Sequence, residues 1–162
     1  MSVEPTLDEG VVGLGVPLTF HHVCFVVDDV EHAEAYLTKF GIGPWRDYPP
    51  LDEYIELDVP DREAFLQHIY RVADLGDIQI QLCQPAQRPS PQRTFLEDRG
   101  PGVFQVGFAV PDVDRAQASA AVQGFDHVLA GRRADGSGFV YLDTLAALGT
   151  HLVARQTPGD HH

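Results

Sequence analysis

Lysine is nearly absent: Lys39 is the only one in 162 residues, and 11 basic side chains stand against 24 acidic ones, for a formal charge of −13. Such a surface repels a phosphate backbone, and no basic cluster interleaved with aromatics offsets it, so nucleic acid is excluded as an expected partner. The arginines are scattered singly apart from Arg132 and Arg133, which excludes an anionic membrane surface in the same way. Long hydrophobic runs are missing too; stretches such as "VCFVV" are far too short to span a bilayer. Cysteine is scarce. The two present, Cys24 and Cys83, lie in strand-like segments without the spacing of a metal knuckle, so buried reduced thiols are expected rather than a disulfide. The opening "MSVEPTLDEGVVGLG" has no positive segment leading into an apolar one, so no secretory signal is expected, and the cytoplasm is the expected compartment.

What is present suits one soluble domain. Hydrophobic residues at 44% and charged residues at 22% exclude wholesale disorder and fibrous repeats. A chain this long buries roughly 70% of the surface its unfolded form exposes. Its organisation is an internal repeat. "HVCFVVDDVEHA" over residues 22–33 lies without gaps on "QVGFAVPDVDRA" over 105–116, matching Val23, Phe25, Val27, Asp29, Val30 and Ala33 to Val106, Phe108, Val110, Asp112, Val113 and Ala116.

In each copy the apolar period changes from two to helical after the aspartate. Asp29 caps a helix whose apolar face is Val30, Ala33, Leu37 and Phe40, with Gly41 as its left-handed stop. Asp112 caps a second, with Val113, Ala116 and Ala120 inward and Gly124 as the stop. "GPWRDY", "FLQHIYRVADL" and "IQIQLCQP" then read as three strands, as do "DHVLAGRR", "FVYLDT" and "GTHLVARQ". The fold class is therefore α+β: two tandem βαβββ modules forming a curved, cavity-enclosing mixed sheet. The domain layout is an arm over 1–17, module one over 18–87, a linker helix within 88–101 (Ser90 and Pro91 as cap and first turn, ending near Arg99), module two over 102–158, and a tail over 159–162.

Strand alternation assigns the cavity side. His21, Val23, Phe25 and Val27 face the helix, so His22, Cys24 and Val26 point inward, and alternation separates the two adjacent histidines. By the repeat, Gln105, Gly107 and Ala109 are inward, as are Gln79, Gln81 and Cys83 in one last strand and His151, Val153 and Arg155 in the other. The expected cavity floor is His22, Gln81, Gln105 and His151, with Arg155 and Gln79 nearer the rim, a polar patch on apolar walls that suits a small molecule.

These segments, with "GDIQIQLCQP" and "GFVYLDTLAALGTHLV", resemble the vicinal oxygen chelate superfamily, specifically its glyoxalase-like branch near methylmalonyl-CoA epimerase, over residues 18–158. The resemblance implies a divalent ion held by one residue on the first and last strand of each module, stabilising an enolate-like intermediate while a base moves a proton. By position the ligands fall on His22, Gln81 and Gln105, with Val153 where a carboxylate is usual. Valine has no lone pair and an amide oxygen is a weak donor, so the expectation is no cofactor, a weakly held divalent metal remaining open. Dimers are frequent in similar proteins, and a homodimer is expected on that ground alone.

Other segments carry less. "GVVGLG" over 10–15 precedes a strand rather than following one and is no dinucleotide fingerprint. "GRRADGSG" is a hairpin loop, and Ser137 within it has no nucleophile-elbow context. The acidic, aromatic, proline-broken stretch "PWRDYPPLDEYIELDVPDRE" over residues 44–63 is expected as a solvated loop, with a lid over the cavity as the alternative. Two functions follow: an isomerase, epimerase or lyase that transfers a proton beside a carbonyl, with His22 and His151 as base and acid and Gln81, Gln105, Arg155 and Gln79 binding substrate, or a metal-free ligand-binding protein of the same fold.

Overall fold

A computed structural model describes residues 13–159; residues 1–12 of the arm and 160–162 of the tail lie outside them, as does the start of the 10–15 glycine stretch. Among the described residues nine strands form one open, curled sheet. Module one supplies β1 (Thr19–Val26), α1 (Val30–Thr38), the two-residue β2 (Arg46–Asp47), β4 (Ile69–Leu75) and β5 (Ile78–Gln84). Module two repeats the order with β6 (Gly102–Ala109), α4 (Val113–Val122), β7 (His127–Arg133), β8 (Gly138–Leu142) and β9 (His151–Gln156). With β3 (Tyr54–Asp58) at one edge, the sheet order is β2-β4-β5-β1-β6-β9-β8-β7-β3. Within each module the first and last strands pair in parallel, and β1 and β6 pair antiparallel, joining the halves about a local two-fold at the sheet centre.

The repeat extends to single hydrogen bonds. Asp29 Oδ1 accepts from the backbone N–H groups of Glu31 and His32, and Asp112 Oδ1 accepts from that of Arg115, so each helix start satisfies its orphan donors from its own cap. A glutamine closing the last strand completes each cap: the Val30 N–H donates to Gln84 Oε1 at 2.9 Å, and the Val113 N–H to Gln156 Oε1 at 3.1 Å. Gly41 and Gly124 end the two helical segments at φ +86° and +89°, where a side chain would be strained.

Helix α4 covers its half of the sheet well, packing Val113, Ala116 and Ala120 on Val140, Leu142 and Ala154. Helix α1 does so less: Val30 is its only buried residue. Phe40, expected on its core face, is 68% exposed, because the helix ends at Thr38 and Phe40 swings out against Tyr36. The densest core lies inside the cup instead. The linker helix α3 (Pro91–Arg99), capped by Ser90, drives Phe95 and Leu96 into its lower half beside Phe104, Leu129, Cys24 and Val26.

The segment from Tyr48 to Arg62 corrects the solvated-loop expectation. After a 3₁₀ turn at Leu51–Glu53 it forms β3 (Tyr54–Asp58), which leaves its own module and pairs antiparallel with β7 at the far edge of module two. Tyr54 is buried there, and α2 (Arg62–Gln67) then inserts Phe65 beneath it. The strand is an edge strand with a register slip between Tyr54 and Glu56: Tyr54 packs on the core, while Ile55 is turned to solvent.

Candidate active site

The four repeat-related positions converge on the β1–β6 junction. His22 lies beside Gly107 and Cys24 beside Gln105 across the antiparallel pair; Gln81 flanks Cys24 from β5 and Val153 flanks Gly107 from β9. None of His22, Gln81, Gln105 and Val153 is more than 3% exposed. The absent side chain at Gly107 makes the seat for His22, since a methyl group there would overlap its imidazole ring. Gln105 Nε2 is 2.8 Å from His22 Nε2, and His22 Nδ1 is 2.8 Å from His21 Nδ1. With Gln105 as donor, the hydrogen-bond pattern assigns the proton of His22 to Nδ1, which donates to His21. Gln105 Oε1 is then buried with no partner among the described residues.

The His21 contact overturns the expected separation of the two histidines. The β1–β6 register slips between Phe20 and His22, so His21 is the extra residue of a β-bulge, and its ring turns to meet its neighbour edge-on, centroids 5.0 Å apart. A second slip places Phe104 in the same position of β6, and by the repeat Phe104 is the counterpart of His21. Both rings are kept neutral. Burial, then the charges of His21 and Arg155, hold His22 well below its ordinary value. Burial followed by Arg155 lowers His21 to about 4, with Asp74 opposing.

Aromatic walls that strand parity alone did not reveal close the chamber. Tyr70 of β4, Phe139 and Tyr141 of β8, Phe65 of α2, and the Tyr48–Tyr54 cap surround His22, Gln81, Gln105 and Val153, leaving a free volume of about 30 Å³, room for one or two waters. Tyr141 was reachable from the sequence, since it faces Val153 in register, but the others come from elements whose placement is tertiary. Burial raises the Tyr70 and Tyr141 phenols well above their usual range, so they remain O–H donors. Arg133 anchors the cap: its Nη2 donates to Tyr54 Oη at 2.9 Å and its guanidinium lies 4.3 Å over that ring. Arg155 reaches the same chamber and donates to Tyr48 Oη at 3.2 Å. Gln79 stays behind Gln81, accepting from its Nε2 at 3.2 Å.

His151 is inward by parity, as expected, but the structure does not bring it to His22. It lines a separate groove of about 530 Å³ beneath α3, with Phe95 and Leu145, and the Phe104 ring packs against it at 4.7 Å. Phe104, the extra residue of the second bulge, joins the core with Phe95 and Leu96 and packs its ring on His151. The remaining polar signals have local roles. Ser137 donates from Oγ to Asp135 in the β7–β8 hairpin. Cys24 and Cys83 are free, buried thiols, pushed up by burial, Cys83 to about 12.

Besides the hydroxyls of Tyr48, Tyr54, Tyr70 and Tyr141, the donors facing the chamber are one imidazole and two neutral amides, and among the described residues no group of three His, Cys, Asp or Glu is placed to hold a metal. Val153 fills the fourth position, the His22 Nε2 lone pair faces the Gln105 amide, and the Arg155 cation shares the chamber. This set does not fit a divalent ion, which needs anionic or imidazole ligands and no fixed positive charge beside it.

Two βαβββ halves joined through their first strands, with polar side chains from paired first and last strands meeting in an enclosed chamber, define the glyoxalase-like class of α+β proteins. Residues 21–141 match the family model of the Glyoxalase/Bleomycin resistance protein/Dioxygenase superfamily, and the chain belongs to that superfamily. No curated protein matches its sequence. Among solved structures it is similar to methylmalonyl-CoA epimerase from Mycobacterium tuberculosis, with 23% identity and a TM-score of 0.62 over 85% of this chain and 87% of that one. It is also similar to a variant of the Streptomyces coelicolor methylmalonyl-CoA epimerase in complex with 2-nitronate-propionyl-CoA, with 18% identity and a TM-score of 0.66 over 90% and 99%. These likenesses establish the fold. Among the described residues no helix is long and apolar enough to cross a membrane.

Proposed function

We propose that this protein is an enzyme that moves a proton beside the carbonyl of a small molecule, an isomerase, epimerase or lyase, with His22 as the base and no divalent ion. The observation that carries this reading is the setting of His22: a neutral imidazole, seated on Gly107, hydrogen-bonded through both nitrogens and facing a closed chamber. A substrate that draws Gln105 away from Nε2 leaves that lone pair free to take a proton from the carbon next to the carbonyl. The Nδ1–H stays hydrogen-bonded to His21 Nδ1, which orients the imidazolium that forms on His22. Gln81, Gln105 and the Tyr141 phenol supply donors for an enolate oxygen in a small site walled by aromatic rings, where such bonds are worth more than in bulk water. His151 is placed apart from this chemistry, in its own groove.

Small ketones and acyl thioesters incubated with the protein in D₂O are expected to gain deuterium at the carbon beside the carbonyl. Thioesters come first, because a solved neighbour is a methylmalonyl-CoA epimerase in complex with methylmalonyl-CoA. His22→Phe is expected to lower the exchange by about 10²- to 10⁴-fold. Exchange that survives the substitution removes His22 from the reaction. A second reading, ligand binding without chemistry, is favoured by the lack of a carboxylate base in the chamber, and ligand binding without any exchange would establish it.

A further inference from the structure

The charge inside the chamber runs against the charge of the molecule. The chain carries −13 overall, yet among the described residues Arg155 is the only chamber-lining side chain with a formal charge. Among the described residues Arg46, Arg71, Arg88, Arg132 and Arg133 each meet a carboxylate within 4.0 Å, whereas Arg62, Arg93, Arg99, Arg115 and Arg155 meet none, and of these five Arg155 is the one that lines the chamber. Its nearest partner is neutral: it donates to Tyr48 Oη and sits 5.8 Å from that ring. A phenol orients a guanidinium without neutralising it. A half-buried, unneutralised cation in a site walled by Tyr70, Phe139 and Tyr141 is costly, and in a low-dielectric site an anion is attracted to it strongly. A second group in the same chamber also lacks a partner, the buried Gln105 Oε1, which calls for a hydrogen-bond donor.

Resting on the assignment of this chamber as the substrate site, we infer that its ligand is a small organic monocarboxylate carrying a hydroxyl or other donor group, the carboxylate paired with Arg155 and the donor directed to Gln105 Oε1. Arg155 thus supplies from the protein itself the positive charge that the donor set is too weak to hold as a metal ion. A monoanion balances one guanidinium; a dianion such as phosphate leaves a net charge in an otherwise neutral, aromatic site. The small free volume limits the ligand to a compact acid or to the acid end of a longer molecule that displaces the Tyr48–Tyr54 cap.

The test is calorimetric titration of the full chain at pH 7 with glycolate, lactate and mandelate, set against the matching uncharged amides and inorganic phosphate. At least one acid is expected to bind at least about 10-fold more tightly than its amide and than phosphate, about 1.4 kcal/mol. Arg155→Met is expected to abolish that preference and Arg155→Lys to retain part of it. Equal affinity for acids and amides, no binding of any acid, or a preference undiminished in Arg155→Met overturns the inference. Should Arg155→Met fail to fold, the acid and amide comparison on the unaltered chain decides alone. Binding and deuterium exchange are read separately, so Arg155-dependent acid binding without exchange upholds this inference while removing the catalytic reading.

Discussion

At the scale of the residue, Gly107 and His22 form a unit in which one is defined by the absence of the other's competitor. Gly107→Ala is expected to displace the imidazole and cost about 1–3 kcal/mol, as overpacking does. The His22 ring proton shifts and a urea midpoint check both effects, and an unmoved ring would show that the seat is not needed. The neutral histidines set the acid limit of stability. His21 and His68 are lowered to about 4, burial first in both, while the same rings in the unfolded chain titrate near 6.5. Between those values the unfolded state binds more protons, so stability is full above pH 6.5 and falls as pH drops toward 4. The urea midpoint is expected to be lower at pH 5 than at pH 7, with a shallower fall in His68→Phe; an equal midpoint at both values contradicts the neutral, buried assignment. The inward parity of His22, Gln81, Gln105 and Val153 was legible in the sequence, because period two is a local property of a strand. The meeting of His21 with His22 was not, since nothing in "TFHHVC" marks which residue the partner strand leaves unpaired.

The element scale shows how far duplication reaches. Gln84 and Gln156 end equivalent strands and each accepts from the first turn of the helix of its own module, so a strand end and a helix start are joined twice by the same bond. Gln84→Ala and Gln156→Ala are each expected to cost about 1 kcal/mol, and to add when combined, because the two caps join different strands to different helices, one in each module. Chemical denaturation of the two single variants and the double variant measures this, and strong non-additivity would mean that the modules are coupled through their caps. The two module helices, with their aspartate caps and glycine stops, and the Ser90-capped linker helix were readable, since capping and periodicity are encoded within a dozen residues; α2, whose residues read as loop and strand, was not. Helix α1 was read as broader in its contacts than it is, because Phe40 lies beyond the last turn. The path of β3 was not readable: whether "YIELD" stays with its module or crosses to the other edge depends on which strand offers a free edge, and that is β7.

For the whole molecule, closure of the cup decides what the chamber can bind. Its cap comes from module one but is fastened to module two, through the pairing of β3 with β7 and the Arg133 contacts with Tyr54 and Glu53. The same closed geometry brings Arg155 beside weak neutral donors, so titration with Co²⁺ or Mn²⁺ is expected to show no site tighter than about millimolar. A micromolar site lost on His22→Phe would show that the family's chelate survives here. The sequence by itself determined the doubled βαβββ order, the starts of the two module helices and of the linker helix, and the inward parity of the first and last strand of each module, because those follow from periodicity, caps and an internal offset that act over a few residues. Only the tertiary structure decided that two bulges place His21 against His22 and Phe104 against His151, that four tyrosines from separate elements wall one chamber, and that Arg155 faces it with no carboxylate beside it. Those outcomes depend on register and closure between segments distant in the chain, which no local pattern of side chains specifies.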